Sequence, residues 1–300
     1  MALESNILRM KSNLKTLKLL QGDSIPRLQR KTRHRQQSHA IANICFSRLD
    51  KVLTINEYTG IDSRSAIGTI DHPIANAPEA PTIAELCDVF LDHGVKLSVA
   101  ACRKALEQWG GDLSEITHVV ATTCTNSANP GYDHYVVKQL GLNQSIEKVL
   151  LHGIGCSGGL NALRTAANIA LGSSFRRKPA RVLVLACEIS STLVRSELDS
   201  IDQNQEVRIG VTLFSDCASA VVLGNGFSDR YDEEPLLELL GWDHRIIEDT
   251  EKDLGFDVDP LGKLIPDCGW GMTANVLCRL EGRADPTGSQ VGRCSRASDV

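Results

Sequence analysis

The sequence predicts a layered α/β protein built on a largely parallel sheet. Three observations carry this. Short apolar runs alternate with stretches of helical spacing from about residue 82 to residue 223. One of these units, residues 148–171 (KVLLHGIGCSGGLNALRTAANIAL), reads as strand, glycine-rich corner and helix in a single stretch. A chain of 300 residues that is 42% hydrophobic can also bury a large core, as one domain or as two joined lobes.

Residues 1–51 differ from the rest. Arg9, Lys11, Lys15, Lys18, Arg27, Arg30, Lys31, Arg33 and Arg35 face few acids, and Leu3, Ile7, Met10, Leu14 and Leu17 form a helical stripe. Such a basic amphipathic start fits an organelle transit peptide or, as preferred here, a solvated and partly disordered extension. Residues 52–81 read as loop, with turns at Asn56–Gly60 and Asp71–Pro73. Helical spacing begins at Thr82 (Ile83, Leu86, Val89, Phe90). It resumes from an expected N-cap at Ser98 through Ala101, Ala105, Leu106 and Trp109, and Gly110-Gly111 ends it. A strand is expected over 116–121, a helix over 132–140 and a strand at 149–151. The helix marked by Leu160, Leu163, Ala167 and Leu171 follows, then strands at 181–186 and 218–223, the latter entered through residues 210–215. Residues 236–247 have strand character and are taken as the start of a second lobe, and 282–300, rich in Ser, Arg and Gly, as a disordered tail.

The corner at Gly153-Ile154-Gly155-Cys156-Ser157-Gly158-Gly159 is the candidate site. Glycines let the backbone turn sharply. A cysteine there stands at or just before a helix N-terminus, where unpaired N–H groups and the helix dipole favour an anion. Cys156 is therefore read as a nucleophile. Two rivals stand beside that reading. Gly153, Gly155 and Gly158 spell a dinucleotide-binding G-x-G-x-x-G, with Glu188 as a late acidic residue. Alternatively, Cys156 is a buried, inert thiol.

A net charge of −5 and a pI near 5.9 argue against a nucleic-acid binder. Ten cysteines without a CxxC pair fit a reduced, cytoplasmic chain better than a disulfide framework or a zinc site, and no metal is expected. No apolar run has the length of a membrane span.

Four stretches, TTCTNSANPGYDHYVVKQLGL, GIGCSGGLNALRTAANIAL, RVLVLACEIS and LFSDCASAVVLG, in this order and spacing, resemble the type III polyketide synthases, the chalcone and stilbene synthase family. INEYTGIDSRSAIGTIDHP is most similar to their fungal branch. The resemblance implies a thiolase-like fold of layers αβαβα in two pseudo-symmetric halves. Residues 52–230 would form the N-terminal half and 231–281 a partial C-terminal half. It also implies a homodimer with no metal or organic cofactor. Cys156 falls at the position that takes an acyl group from a starter coenzyme A thioester before condensation with malonyl-CoA. Phe214 matches the gatekeeper between the CoA passage and the cavity, and Cys124, Thr125 and Ser190 match residues lining that cavity. Asn129, before Pro130, matches a residue reaching into the partner subunit. Glu188 resembles a buried acid near the site, with a satisfied carboxylate of no chemical role as its rival. His134 and His152 receive no catalytic task.

The chain departs from the family in its second half. The family's catalytic histidine lies in an HPGG-type loop and its asparagine in a GNM-type turn. No HPGG occurs here, the last histidine is His244, and Trp270 or Gly271 stands where the asparagine is expected. The N-terminal strand that opens the fold also has no evident counterpart in residues 1–51. The expected activity is polyketide synthesis, or acyl transfer alone. The alternative is a non-catalytic acyl-CoA-binding chain that pairs as a heterodimer with a complete homologue. A ketoacyl-ACP synthase III-like enzyme, which uses carrier-linked malonate, is a rival within the same fold.

Overall fold

The computed structural model describes residues 8–12, 59, 61, 64–68, 72, 76–204, 208, 210–227, 235–244, 257–258 and 264–265. The expected loop at 52–81 is thus described only in part, and the 282–300 tail and the segment around Trp270 lie outside these residues.

A long helical stretch comes first: α1 (Ile83–Val89), one π-helical turn (Phe90–Gly94) and α2 (Val95–Trp109). Thr82 starts it through a capping box: its hydroxyl accepts from Glu85 N while Glu85 accepts from Thr82 N at 2.8 Å. Gly110, at φ 73°, ends it. The expected N-cap at Ser98 is corrected here, because Ser98 is buried inside α2. Val95, Val99, Cys102, Leu106 and Trp109 form a continuous buried face across that position, and this packing outweighs a local capping preference.

Next come β2 (His118–Thr122), α3 (Tyr132–Leu140), β3 (Glu147–Leu151), α4 (Gly158–Phe175) and β4 (Arg181–Glu188). β2 lies between β3 and β4, parallel to both, with Val120 opposite Val149 and Val184. Alternate residues serve opposite faces. Val119, Ala121, Leu183, Leu185 and Cys187 pack with α2 and α3 around Phe90 and Tyr132, whose rings meet edge to face at 5.5 Å. Val120, Val182 and Val184 pack against Ala162, Ala166, Ala167 and Ala170 of α4, small side chains that let the helix lie close to the sheet.

The sheet is mixed rather than largely parallel. After β4 come a 3-10 turn (Ser190–Leu193), α5 (Val194–Asn204), the single turn α6 (Gly210–Leu213) and β5 (Cys217–Gly224). β5 runs antiparallel to β4, with Glu188 opposite Cys217. A parallel return would need a crossover to the far end of the sheet; here the whole excursion starts and finishes at one end.

β1 (Leu8–Ser12) pairs antiparallel with β5 and with β6 (Leu237–Leu239), giving the order β3-β2-β4-β5-β1-β6. Within the stretch read as a basic extension with an apolar stripe of helical spacing, Leu8–Ser12 is a strand, where the sequence had shown no evident opening strand. Helix propensities differ by only tenths of a kcal/mol per residue, whereas strand edges offer unpaired N–H and C=O groups to a fifth strand and a sixth. Of the strand character expected over 236–247, β6 realises Leu237–Leu239, residues 240–244 are not strand, and 245–247 lie outside the described residues. Beyond β6, the described residues hold one further pair, β7 (Asp257–Val258) with β8 (Leu264–Ile265).

Candidate active site

The topology gathers the sequence-predicted residues at one end of the sheet. Parallel strands β2, β3 and β4 finish there and antiparallel β5 starts there. In α/β sheets, loops at the carboxyl ends of the strands are where ligands bind. Cys124 and Thr125 follow β2, Cys156 follows β3, Ser190 follows β4, and Phe214 precedes β5.

Cys156 sits in a 3-10 turn (Gly155–Ser157) that runs directly into α4. Gly155, at φ 65°, makes the corner. Gly158 lets the first turn of α4 press on β2, since a Cβ there would stand 2.6 Å from Thr122 Oγ1. Asn161 then donates to the carbonyl of Ser157 at 3.0 Å, which fixes the helix start. Cys156 is exposed, whereas Cys102 and Cys187 are buried. The buried, inert thiol weighed for this position is not what the fold places here.

Cys124 and Thr125 wrap around the carboxylate of Glu188. It accepts from Cys124 N at 2.9 Å, Thr125 N at 3.1 Å, Thr125 Oγ1 at 2.8 Å and Thr123 Oγ1 at 3.2 Å. Ile189 N donates to Thr125 Oγ1 at 3.0 Å, closing the knot. Burial, then the adjacent Glu188 carboxylate, push the Cys124 thiol up to about 12. Cys124 therefore stays protonated, which disfavours it as a nucleophile.

Ser190 opens the 3-10 turn after β4, and its hydroxyl points to the carbonyl of Ser215 at 3.5 Å. Beside it, buried Asp216 accepts from Ser191 N at 2.8 Å, Ser191 Oγ at 2.5 Å and Ile67 N at 2.7 Å. Burial raises its pKa, and those hydrogen bonds oppose the rise. Half-buried Phe214 lies between this knot and α6, its N–H on the carbonyl of Gly210 at 3.0 Å.

Asn129 and Pro130 are exposed on the loop between β2 and α3. That loop is pinned by Asn126 Oδ1, which accepts from Ala128 N at 3.1 Å, and by the Tyr132 hydroxyl, which donates to the carbonyl of Thr122 at 2.8 Å. His134 and His152 are both exposed. Among the described residues no group of three or more His, Cys, Asp or Glu side chains could hold a metal ion, and no helix is long and apolar enough to cross a membrane.

Sequence reasoning missed two buried acids here, Asp216 and Glu197, and the helix α5 that carries Glu197. Asp216 stood in a quoted motif without a role. The Arg195–Asp199 i,i+4 pair was a readable sign of α5. Burial of Glu197 had no local sign.

The described residues thus form a sheet with helices packed on both faces and an exposed cysteine, Cys156, at the corner between β3 and α4. The family model for the chalcone and stilbene synthases, N-terminal domain, matches residues 35–227, and the chain belongs to this family. It is 41% identical over 215 residues to an acylalkylpyrone synthase, csyB, of Aspergillus oryzae, covering 71% of this chain and 54% of that protein. The chain thus spans about half the length of this curated relative. Its fold is similar to that of a type III pentaketide synthase from Neurospora crassa, with TM-score 0.72 and 50% identity over 87% of this chain and 65% of the other. It is also similar to CsyB complexed with CoA-SH, with TM-score 0.74 and 35% identity over 87% of this chain and 67% of that one. The fold is accordingly thiolase-like, with its second half incomplete among the described residues.

Proposed function

We propose that the chain works as a type III polyketide synthase, with Cys156 accepting the acyl group of a starter coenzyme A thioester. The observation that carries this is the exposed Cys156 in the turn leading into α4, at the end of the sheet where Cys124, Thr125, Ser190 and Phe214 emerge. Its sulfur forms a bond to the acyl carbon, the bond to the CoA sulfur breaks, and CoA leaves as its thiol. One thioester replaces another at near-zero driving force, and a hard condensation is split into two easier steps. Decarboxylation of malonyl-CoA then releases CO₂, and the resulting carbanion attacks the acyl carbon on Cys156, whose C–S bond breaks so that the sulfur leaves as thiolate and the lengthened chain stays on CoA. The activated thioesters supply the chemistry, so no metal or organic cofactor is required. Phe214 narrows the way in, Cys124, Thr125 and Ser190 line the cavity, and Asn129 with Pro130 reaches a second subunit of a homodimer.

Condensation needs donors for the developing enolate oxygen, each worth about 10²–10³ in rate. The sequence has no HPGG loop to supply one. Acyl transfer without efficient condensation is therefore the expected outcome for this chain alone. The test is labelling with radioactive acyl-CoA, read on the intact protein beside Cys156→Ala. Label confined to the wild type supports the proposal; equal label on both overturns it.

The missing HPGG loop favours a second reading, an acyl-CoA-binding chain that pairs with a complete homologue. Size-exclusion chromatography of the two chains together tests it. No mixed dimer at micromolar concentration would count against it.

A further inference from the structure

Phe214 stands on a turn that rests on a buried carboxyl. Glu197 of α5, 3% exposed, accepts the backbone N–H of Val211, the second residue of α6. Its carboxyl lies flat on Gly210, where any Cβ would run into Glu197 Oε1. A glycine is therefore required for the carboxyl to approach the turn this closely. Glu197 Oε2 is buried and has no hydrogen-bond partner. The charged group facing it among the described residues is Arg208, itself 2% exposed, whose Nε donates to Ser200 Oγ at 2.9 Å. Two residues after Phe214, Asp216 accepts from Ser191 and Ile67. Asp216 is well supplied with donors, whereas Glu197 keeps one oxygen without a partner.

We propose that Glu197 is a positioning residue for Phe214: by holding the amide of Val211 against the bare Cα of Gly210 it sets the turn that delivers the ring, and gain or loss of its proton resets that turn. The proposal deepens the reading of Phe214 as the gate to the cysteine and rests on it. Burial raises the Glu197 pKa to about 7, so both protonation states are populated near neutrality. The ionised carboxylate draws the Val211 N–H more tightly, because charge-assisted hydrogen bonds are shorter and stronger. The neutral form relieves the uncompensated oxygen. No other catalytic-end carboxylate described has both an unpartnered oxygen and a direct hold on the turn before Phe214.

The experiment uses the full chain labelled with fluorophenylalanine, whose six fluorine resonances include that of Phe214, assigned with Phe214→Leu. The wild-type Phe214 signal is expected to move as pH crosses neutrality. In Glu197→Gln, which keeps an acceptor oxygen but has no proton to lose, the movement is lost. In Gly210→Ala, which pushes the carboxyl off the turn, the signal is displaced at every pH. An unchanged titration in Glu197→Gln, or a wild-type signal position in Gly210→Ala, overturns the proposal. Acylation of Cys156 by acyl-CoA is followed in parallel over the same pH range. If the fluorine signals respond as expected while no acyl group reaches Cys156, the positioning role stands and the gate reading falls.

Discussion

Glu188→Ala tests whether the Thr123–Thr125 segment depends on one carboxylate. In the wild type, Glu188 takes two backbone amides, Cys124 N at 2.9 Å and Thr125 N at 3.1 Å, and two hydroxyls, Thr125 Oγ1 at 2.8 Å and Thr123 Oγ1 at 3.2 Å. After truncation the hydroxyls can rotate to other acceptors, but the amides cannot. Each buried donor left unpaired costs about 1–3 kcal/mol, so two amides set a destabilisation of roughly 2–6 kcal/mol. Glu188→Gln keeps one acceptor oxygen but turns an NH₂ towards donors, so it should fall between Ala and wild type. The assay is urea unfolding followed by far-UV circular dichroism, with the slope compared across variants to establish that the same transition is measured. A loss below about 1 kcal/mol for Glu188→Ala would mean that these amides do not depend on the carboxylate, and the account of the Thr123–Thr125 segment would be wrong. The same result would leave Glu188 free for a chemical role, whereas the expected loss marks it as the satisfied structural acid weighed from the sequence.

Three further outcomes are expected. Glu197 is neutral in the folded chain up to about pH 7 but ionises from its ordinary value of 4.5 when unfolded. The folded state then binds more protons across that window, so stability present below it is lost as pH rises through it, by about 3 kcal/mol in all; the stability difference between wild type and Glu197→Gln should follow that curve, and a difference flat with pH would refute it. Gly158→Ala places a methyl 2.6 Å from Thr122 Oγ1, which should cost about 1–3 kcal/mol as an overpacked contact and slow acylation of Cys156 by tilting the start of α4; unchanged stability and rate would remove the close approach from the argument. Brief iodoacetamide treatment followed by peptide mass spectrometry should modify exposed Cys156 and spare Cys102 and Cys187, which are buried, with the Cys187 thiol pushed up to about 12 by that burial; comparable labelling of Cys187 would contradict the packing of β4 against α2.

Much of the site was legible because its signals are local. The glycine corner around Cys156 and the helix after it follow from which backbone conformations glycine admits. The helix at Tyr132–Leu140 emerged with its predicted bounds because a glycine flanks each end and its apolar spacing is regular. Strand ends were misplaced by a residue or two, as with β2 at His118–Thr122 against an expected 116–121, because pairing partners set where a ladder stops. The strand in the opening segment had no local sign. The apolar spacing of that segment describes a helix, while Leu8–Ser12 pairs as a strand with partners more than 200 residues away in the chain (Arg9 opposite Gly224, Leu8 opposite Leu239).

By itself the sequence determined the family, the glycine corner that carries Cys156 and the alternation of strands with helices. Each is written in residues adjacent along the chain, where glycine, alanine and apolar periodicity act directly on the backbone. Only the tertiary structure decided that β5 turns back antiparallel, that Ser190 and Phe214 therefore lie at the end of the sheet with Cys156, and that Glu197 and Asp216 are buried. A carboxylate looks the same in sequence whether water or protein surrounds it. Its environment, and with it its protonation and its hold on neighbouring amides, exists only once distant segments have packed around it.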